Sequence, residues 1–220
     1  MNELFETPAE GRDDAWRTAF YAAIPDAGLV GLNPQVSTGP DTFPYFHLAV
    51  PDSGSPATLS ISRILNYALE NGTGAVIFAD AKRSQPPEWV FTYGDLLSYK
   101  LYGSFEGDVN NSLVDPQPRQ AGKLLVAVPS EALLPAAARR AIGAYMREKY
   151  RHPAPKVALV VDPSRQPAHA LMFNLTLAQY HGDAKKLQAA VHYLGWFLPR
   201  TYAMTHLPEG WSEDNFLPLT

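Results

Sequence analysis

Two runs of aliphatic residues, Leu124–Val128 and Val157–Val161, flank a stretch, Glu131–Tyr150, in which Leu134, Ala138, Ala141, Ile142, Tyr145 and Met146 recur at helical spacing. Strand-sized runs on either side of a one-sided helix leave few options: the strands share a sheet and the helix lays its stripe on it. Pro135 is tolerable only in the first turn of that helix, and Pro153 and Pro155 close it. The pattern continues with a turn at Asp162–Pro167 and a strand at Ala170–Leu175. A second helix begins at Asp183 with Leu187, Ala190, Val191, Leu194 and Leu198 inside, and a last strand covers Tyr202–His206. The order βαββαβ predicts a ferredoxin-like split βαβ arrangement for this half.

The first half uses the same ingredients. Trp16, Ala19, Phe20, Ala23 and Ile24 form one face of a helix over Glu10–Ile24, stopped by Pro25 and Gly28. Leu29–Leu32 and Phe43–Val50 read as strands. Ile61, Ile64, Leu65, Ala68 and Leu69 stripe a second helix, which ends at Asn71-Gly72 because both residues tolerate the left-handed conformation. Ala75–Ala79 and Trp89–Tyr93 are further strands joined by a Lys/Arg/Pro loop, and a short helix, Asp95–Tyr102, follows with Asp95 able to cap it or sit in its first turn.

Gly103–Gly122 is rich in Gly, Pro and Asn and has no apolar period, which marks a boundary. The expected fold class is therefore α/β (α+β), built as two small α/β units. Residues 1–105 form an N-terminal unit with a mixed sheet and helices, 106–122 a linker, 123–208 the βαββαβ unit, and 209–220 a tail. Ala75–Asp80 with Trp89–Thr92 echoes Ala158–Asp162 with Ala170–Leu175, a likeness that duplication and coincidence both explain.

The 220 residues include no cysteine, which removes a disulfide scaffold, a thiolate zinc site, an iron–sulfur cluster and a cysteine nucleophile together. No run approaches the ~18 apolar residues that span a bilayer, and the acidic Met1–Asp14 segment lacks the character of a signal peptide, so a cytoplasmic protein is expected without membrane contact. The net charge of −4 conceals an asymmetry, with residues 1–81 acidic and the rest mildly basic. Arg139, Arg140, Arg147, Lys149, Arg151 and Lys156 form the densest basic stretch, opposed only by Glu148. A solvated helix face explains it better than an acidic protein partner does. Nucleic acid is the weakest reading, because no aromatic stacking pattern is interleaved.

Local signatures of chemistry are missing. His47, His152, His169, His181, His192 and His206 never pair at i,i+4 or as H-x-H, and no metal or other cofactor is expected. Asp52-Ser53-Gly54-Ser55-Pro56 lacks the pattern of a nucleophile elbow. Gly72-Thr73-Gly74 follows a helix and precedes a strand, the reverse of a phosphate-cradling loop. Asp80, Asp95 and Asp162 stand at strand ends or a helix start, where turn and cap chemistry explain them, although convergence on one pocket would permit acid–base catalysis.

Two loops combine the residue types enriched at binding hot spots, Lys82, Arg83 and Trp89 in one and Arg165 and His169 in the other, although solvated hairpin tips with Trp89 turned inward explain them more simply. The tail adds Trp211, Phe216 and Leu217, which either dock on their own core or anchor a partner.

The layout resembles the SseB-like (enhanced serine sensitivity) family of bacterial proteins. The likeness rests on the Trp16-Arg17-Thr18-Ala19-Phe20-Tyr21 helix running into Leu29–Leu32, a middle α/β segment, and a C-terminal unit with Pro129, Leu133-Leu134-Pro135, the strand Lys156–Asp162 and the late Leu198-Pro199. The family's usual Asn-Pro-Gly segment is missing from the N-terminal half. The resemblance implies a non-catalytic accessory or regulatory module with no catalytic residues to carry over, and the missing constellation for chemistry leads to the expectation of an accessory, regulatory or immunity-type protein acting by protein–protein binding. A hydrolase-like enzyme with a scattered Asp/His site and a small-ligand sensor with a pocket between the two units remain the alternatives.

Overall fold

Side-chain oxygens open four of the helices. After a short helix α1 (Asn2–Glu6), Asp13 accepts from the Trp16 amide at 2.8 Å and starts α2 (Asp14–Ala23). Ser60 starts α3 (Ile61–Glu70) in the same way. Thr92 starts α4 (Tyr93–Tyr102) through a capping box in which Asp95 accepts from the Thr92 amide at 2.9 Å. Each such cap satisfies an amide that helix geometry orphans and is worth about 1 kcal/mol. Proline takes that place at α5 (Ala136–Lys149), and Asp183 caps α6 (Ala184–Leu194). The computed structural model describes residues 2–106, 124–162 and 168–220. The chain divides into two compact units, Met1–Phe105 and Glu106–Thr220. Apart from Glu106, the expected linker lies outside the described residues.

Unit 1 holds a four-stranded sheet in the order β1 (Val30–Thr38), β2 (Pro44–Ala49), β3 (Gly74–Phe78), β4 (Trp89–Phe91). β1 pairs antiparallel with β2, β2 parallel with β3 across α3, and β3 antiparallel with β4. The two central strands are buried almost throughout, whereas the edge strand β1 is largely exposed. Alternation along the strands sends Phe46, Ile77, Trp89 and Phe91 to one face. There Phe46 meets Tyr67 of α3, and Trp89 lies 4.6 Å from the ring of Phe20 on α2. Trp16, Tyr21, Phe91 and Phe105 complete this aromatic core. The stripe read from the sequence on α3 is buried as expected, and Gly72 takes a left-handed φ of 67° just beyond it.

Unit 2 contains the expected element order, β5 (Leu125–Ala127), α5, β6 (Lys156–Val161), β7 (His169–Phe173), α6, β8 (Met204–His206), and adds β9 (Leu217–Pro218). The ferredoxin-like arrangement does not form. In a split βαβ unit the strands flanking each helix run parallel with another strand between them. Here the sheet runs β5-β6-β7-β8 in chain order, β5 and β6 are antiparallel neighbours, and β7 and β8 are parallel neighbours. The β6–β7 hairpin holds the centre, which leaves the three-residue strands β5 and β8 only the outer positions.

The tail belongs to this sheet. β9 pairs with β6 beside β5, the Leu219 amide donates to Pro155 O at 2.9 Å, and Arg147 donates to Leu219 O at 3.0 Å. Phe216 and Leu219 are buried. Ala158, Val160 and Met172 on one sheet face pack with Leu207 and Phe216, and Trp211 leans on the same cluster. Leu171 faces the other way, and its neighbour Met204 reaches Gly195 at the end of α6.

Candidate functional site

The face of unit 1 away from the aromatic core carries polar groups. Tyr45, His47 and Ala49 point to it from β2, Val76 and Phe78 from β3, and Ser37, opposite Tyr45 in the ladder, from β1. His47 is 8% exposed. Its Nε2 lies 2.9 Å from Ser37 Oγ, and its ring centroid 5.5 Å from that of Phe78. Its Nδ1 is buried and has no hydrogen-bond partner among the described residues. A buried ring nitrogen left so costs about 1–3 kcal/mol.

The turn after β3 supplies a cation to the same place. Asp80 Oδ1 accepts from the Lys82 amide at 2.8 Å and from the Ser84 amide at 3.4 Å, an Asx-type closure that leaves Arg83 at a φ of 55°. The Arg83 guanidinium lies over Phe78, 5.7 Å from the ring centroid, and donates to Pro34 O on β1 at 3.1 Å. Burial first, and then the charge of Arg83, push the His47 imidazole below its usual pKa, which favours the neutral ring. Ser37, His47, Phe78, Arg83 and Pro34 thus form a closed set drawn from three strands and one turn.

This pair is not a complete nucleophile–base–acid arrangement. In a triad the second imidazole nitrogen donates to a carboxylate that fixes its tautomer, and the serine sits on a strained turn beside amide donors. Ser37 occupies a regular ladder position, and no acid meets Nδ1 among the described residues. Asp80 is engaged in its own turn and Asp95 in the capping box. Asp162 is buried at the end of β6 in unit 2, and its amide donates to Ala168 O. No group of three or more His, Asp or Glu side chains placed to hold a metal occurs among the described residues.

The residues singled out from the sequence have different fates. Arg83 joins the cluster and is half-buried, while Lys82, next to it in the turn, is exposed. Trp89 turns into the aromatic core, 5.5 Å from Trp16 and 4.6 Å from Phe20. His169 opens β7 opposite Val161 and is exposed. Trp211 packs on the apolar cluster of unit 2, and Arg165 lies outside the described residues. The basic stretch that runs from α5 to the start of β6 is largely tied down by the chain itself: Arg139 pairs with Glu131, Arg147 holds the Leu219 carbonyl, Lys149 pairs with Glu148 and Lys156 with Glu213.

Sequence reasoning missed Ser37 and His47. The available signal was a histidine between Phe46 and Leu48 in an otherwise apolar strand, since a buried imidazole must be partnered. No local spacing points to Ser37, which reaches His47 only through the β1–β2 register. No family model matches the chain, and no curated protein and no solved structure matches it.

Proposed function

We propose that the protein is a non-catalytic accessory or regulatory protein of the bacterial cytoplasm that works by binding another protein, with the Lys82–Arg83 turn of unit 1 as its recognition point. One observation carries this reading. Arg83 is held in place by a left-handed backbone, a carbonyl and an aromatic ring, and no carboxylate among the described residues neutralises it. A guanidinium ordered before binding loses less side-chain entropy when an acidic group meets it. The resemblance to SseB-like proteins favours the same class of function.

Affinity capture with chemical cross-linking tests the proposal on the full chain, comparing wild type with Arg83→Ala and Lys82→Ala. The expected result is a protein recovered by wild type, lost with Arg83→Ala and reduced with Lys82→Ala, while circular dichroism is unchanged. Recovery of the same proteins by all three variants overturns it. The 2.9 Å Ser37–His47 contact favours a second reading, ester or amide hydrolysis. Hydrolysis of p-nitrophenyl acetate that disappears in Ser37→Ala selects that reading instead.

A further inference from the structure

We infer that His47 and Arg83 form a carboxylate-binding site, in which imidazole Nδ1–H donates to one oxygen of the ligand, the guanidinium donates to the other, and Ser37 holds the far ring nitrogen. The inference rests on the recognition reading above and names its ligand: the side-chain carboxylate of an acidic residue on the partner. Three observations converge on it. Nδ1 is a buried polar atom with no partner among the described residues, on a side chain more than nine-tenths buried. The Arg83 guanidinium and the His47 ring meet the same Phe78 ring, at 5.7 Å and 5.5 Å from its centroid, and Nη2 is the nitrogen Arg83 commits to Pro34 O. Ser37 at Nε2 is a group able either to donate or to accept.

That last property decides the chemistry. With a neutral ring, the Ser37 hydroxyl donates to Nε2 and Nδ1 keeps the proton that faces the ligand. With a protonated ring, Nε2–H donates to Ser37 Oγ and Nδ1–H still faces the ligand. The site therefore presents the same donor in either state. A carboxylate suits it better than a phosphate dianion, which carries more charge and more acceptor oxygens than one imidazole N–H and one guanidinium satisfy. Among the described residues, Ser37 of β1, Val76 and Phe78 of β3 and Arg83 of the turn lie about His47, and of these only Arg83 is charged. Tyr45 on the same strand gives its hydroxyl to Asp41, and Asp80 is held in its turn.

A bound carboxylate opposes both causes that keep the ring neutral, so binding takes up a proton and strengthens as pH falls. The test is a titration of the full chain followed by the ring nitrogen signals of His47, at about pH 7.5 and about pH 5.5. The probes are blocked Gly-Asp-Gly and Gly-Asn-Gly peptides, acetate and inorganic phosphate. The expected result is a saturable shift at His47 Nδ1 with the Asp peptide and acetate, absent with the Asn peptide. Binding is expected to be about five-fold tighter at the lower pH. Arg83→Ala is expected to weaken it about ten-fold or more, and Arg83→Lys, which keeps the charge without the fork, by less. An acetate affinity equal to that of the peptide assigns the site to free acids and still supports it. A silent His47, an equal response to the Asn peptide, tighter phosphate binding, or affinity independent of pH overturns it. Partner capture that needs Arg83 while His47 stays silent removes this inference and keeps the recognition reading. A carboxylate response at His47 with no Arg83-dependent partner does the reverse.

Discussion

Units 1 and 2 run through the same elements and finish their sheets differently. In unit 1, α2 precedes the antiparallel pair β1–β2, and α3 leads to β3 parallel to β2. In unit 2, α5 precedes the antiparallel pair β6–β7, and α6 leads to β8 parallel to β7. The equivalence thus matches β6–β7 with β1–β2, whereas the likeness seen in the sequence matched it with β3–β4. The faces that correspond differ in chemistry, one wholly apolar and the other with polar groups set among apolar ones. In unit 2 the neighbours Ala158, Val160 and Met172 are sealed by Leu207, Phe216 and Trp211 from the end of the chain. In unit 1 Ala49, Val76 and Phe78 share the face with Tyr45, Ser37 and a histidine with an orphan nitrogen. A fold that fills this face with hydrocarbon in one unit has no structural need for an imidazole in the other, which is why the polar face is the place to look for function.

The largest effect tests whether the units are energetically separate. Phe20 is fully buried at the centre of the unit 1 aromatics, and Phe20→Ala is expected to cost about 3–5 kcal/mol. Calorimetry is expected to show one transition shifted down and the other unmoved. A single transition that shifts as a whole breaks the two-unit description.

Next in size is an attempt to unseal unit 2. A Cβ at Gly143 would lie 2.1 Å from Leu219 O, a backbone atom, so Gly143→Ala must displace β9. The expected cost is about 1–3 kcal/mol. Trp211 fluorescence is expected to shift to the red and the tail to become cleavable by protease. If the tail stays protected, the seal does not depend on the Leu219 contact. Removing a cap is smaller: Thr92→Ala is expected to cost unit 1 about 1 kcal/mol, measured by urea denaturation, and to leave unit 2 unchanged.

Legibility in the sequence followed the range of the interactions. The α3 stripe, the Asn71-Gly72 stop and the role of Asp95 at the start of α4 are set by neighbours within a few residues, and all were readable. Strand order was not. The run βαββαβ is compatible with several sheets, and the choice depends on pairing between residues far apart, such as Val157 with Phe173 and Leu217. The polar loop leaves Trp89 open to two readings, surface anchor or inward side chain, and the strand period of two decides for the inner face, with its neighbour Val90 43% exposed. The cluster itself was half legible. Lys82 and Arg83 stood out by composition, but Ser37 and His47 are joined by register alone.

The smallest effect separates a binding site from a structural one. If the Ser37–His47 pair served stability, replacing both residues would destabilise unit 1. If the pair is kept for a ligand, the double variant Ser37→Ala/His47→Leu removes the orphan Nδ1 together with both ends of the Ser37–Nε2 hydrogen bond, and is expected to lie within about 0.5 kcal/mol of wild type or above it near pH 7. The pH dependence gives the sign. The folded-state pKa of His47 is depressed, so below the ordinary histidine range the unfolded chain binds a proton that the folded unit refuses. The wild type therefore loses stability as pH falls from about 6.5 toward the depressed value, and the double variant lacks that loss. Urea denaturation of both proteins at about pH 7.5 and about pH 5.5 is expected to show the double variant gaining on wild type at the lower pH. A wild type that holds its margin there places the imidazole in service of the fold, and the contrast between the two sheet faces then loses its functional meaning.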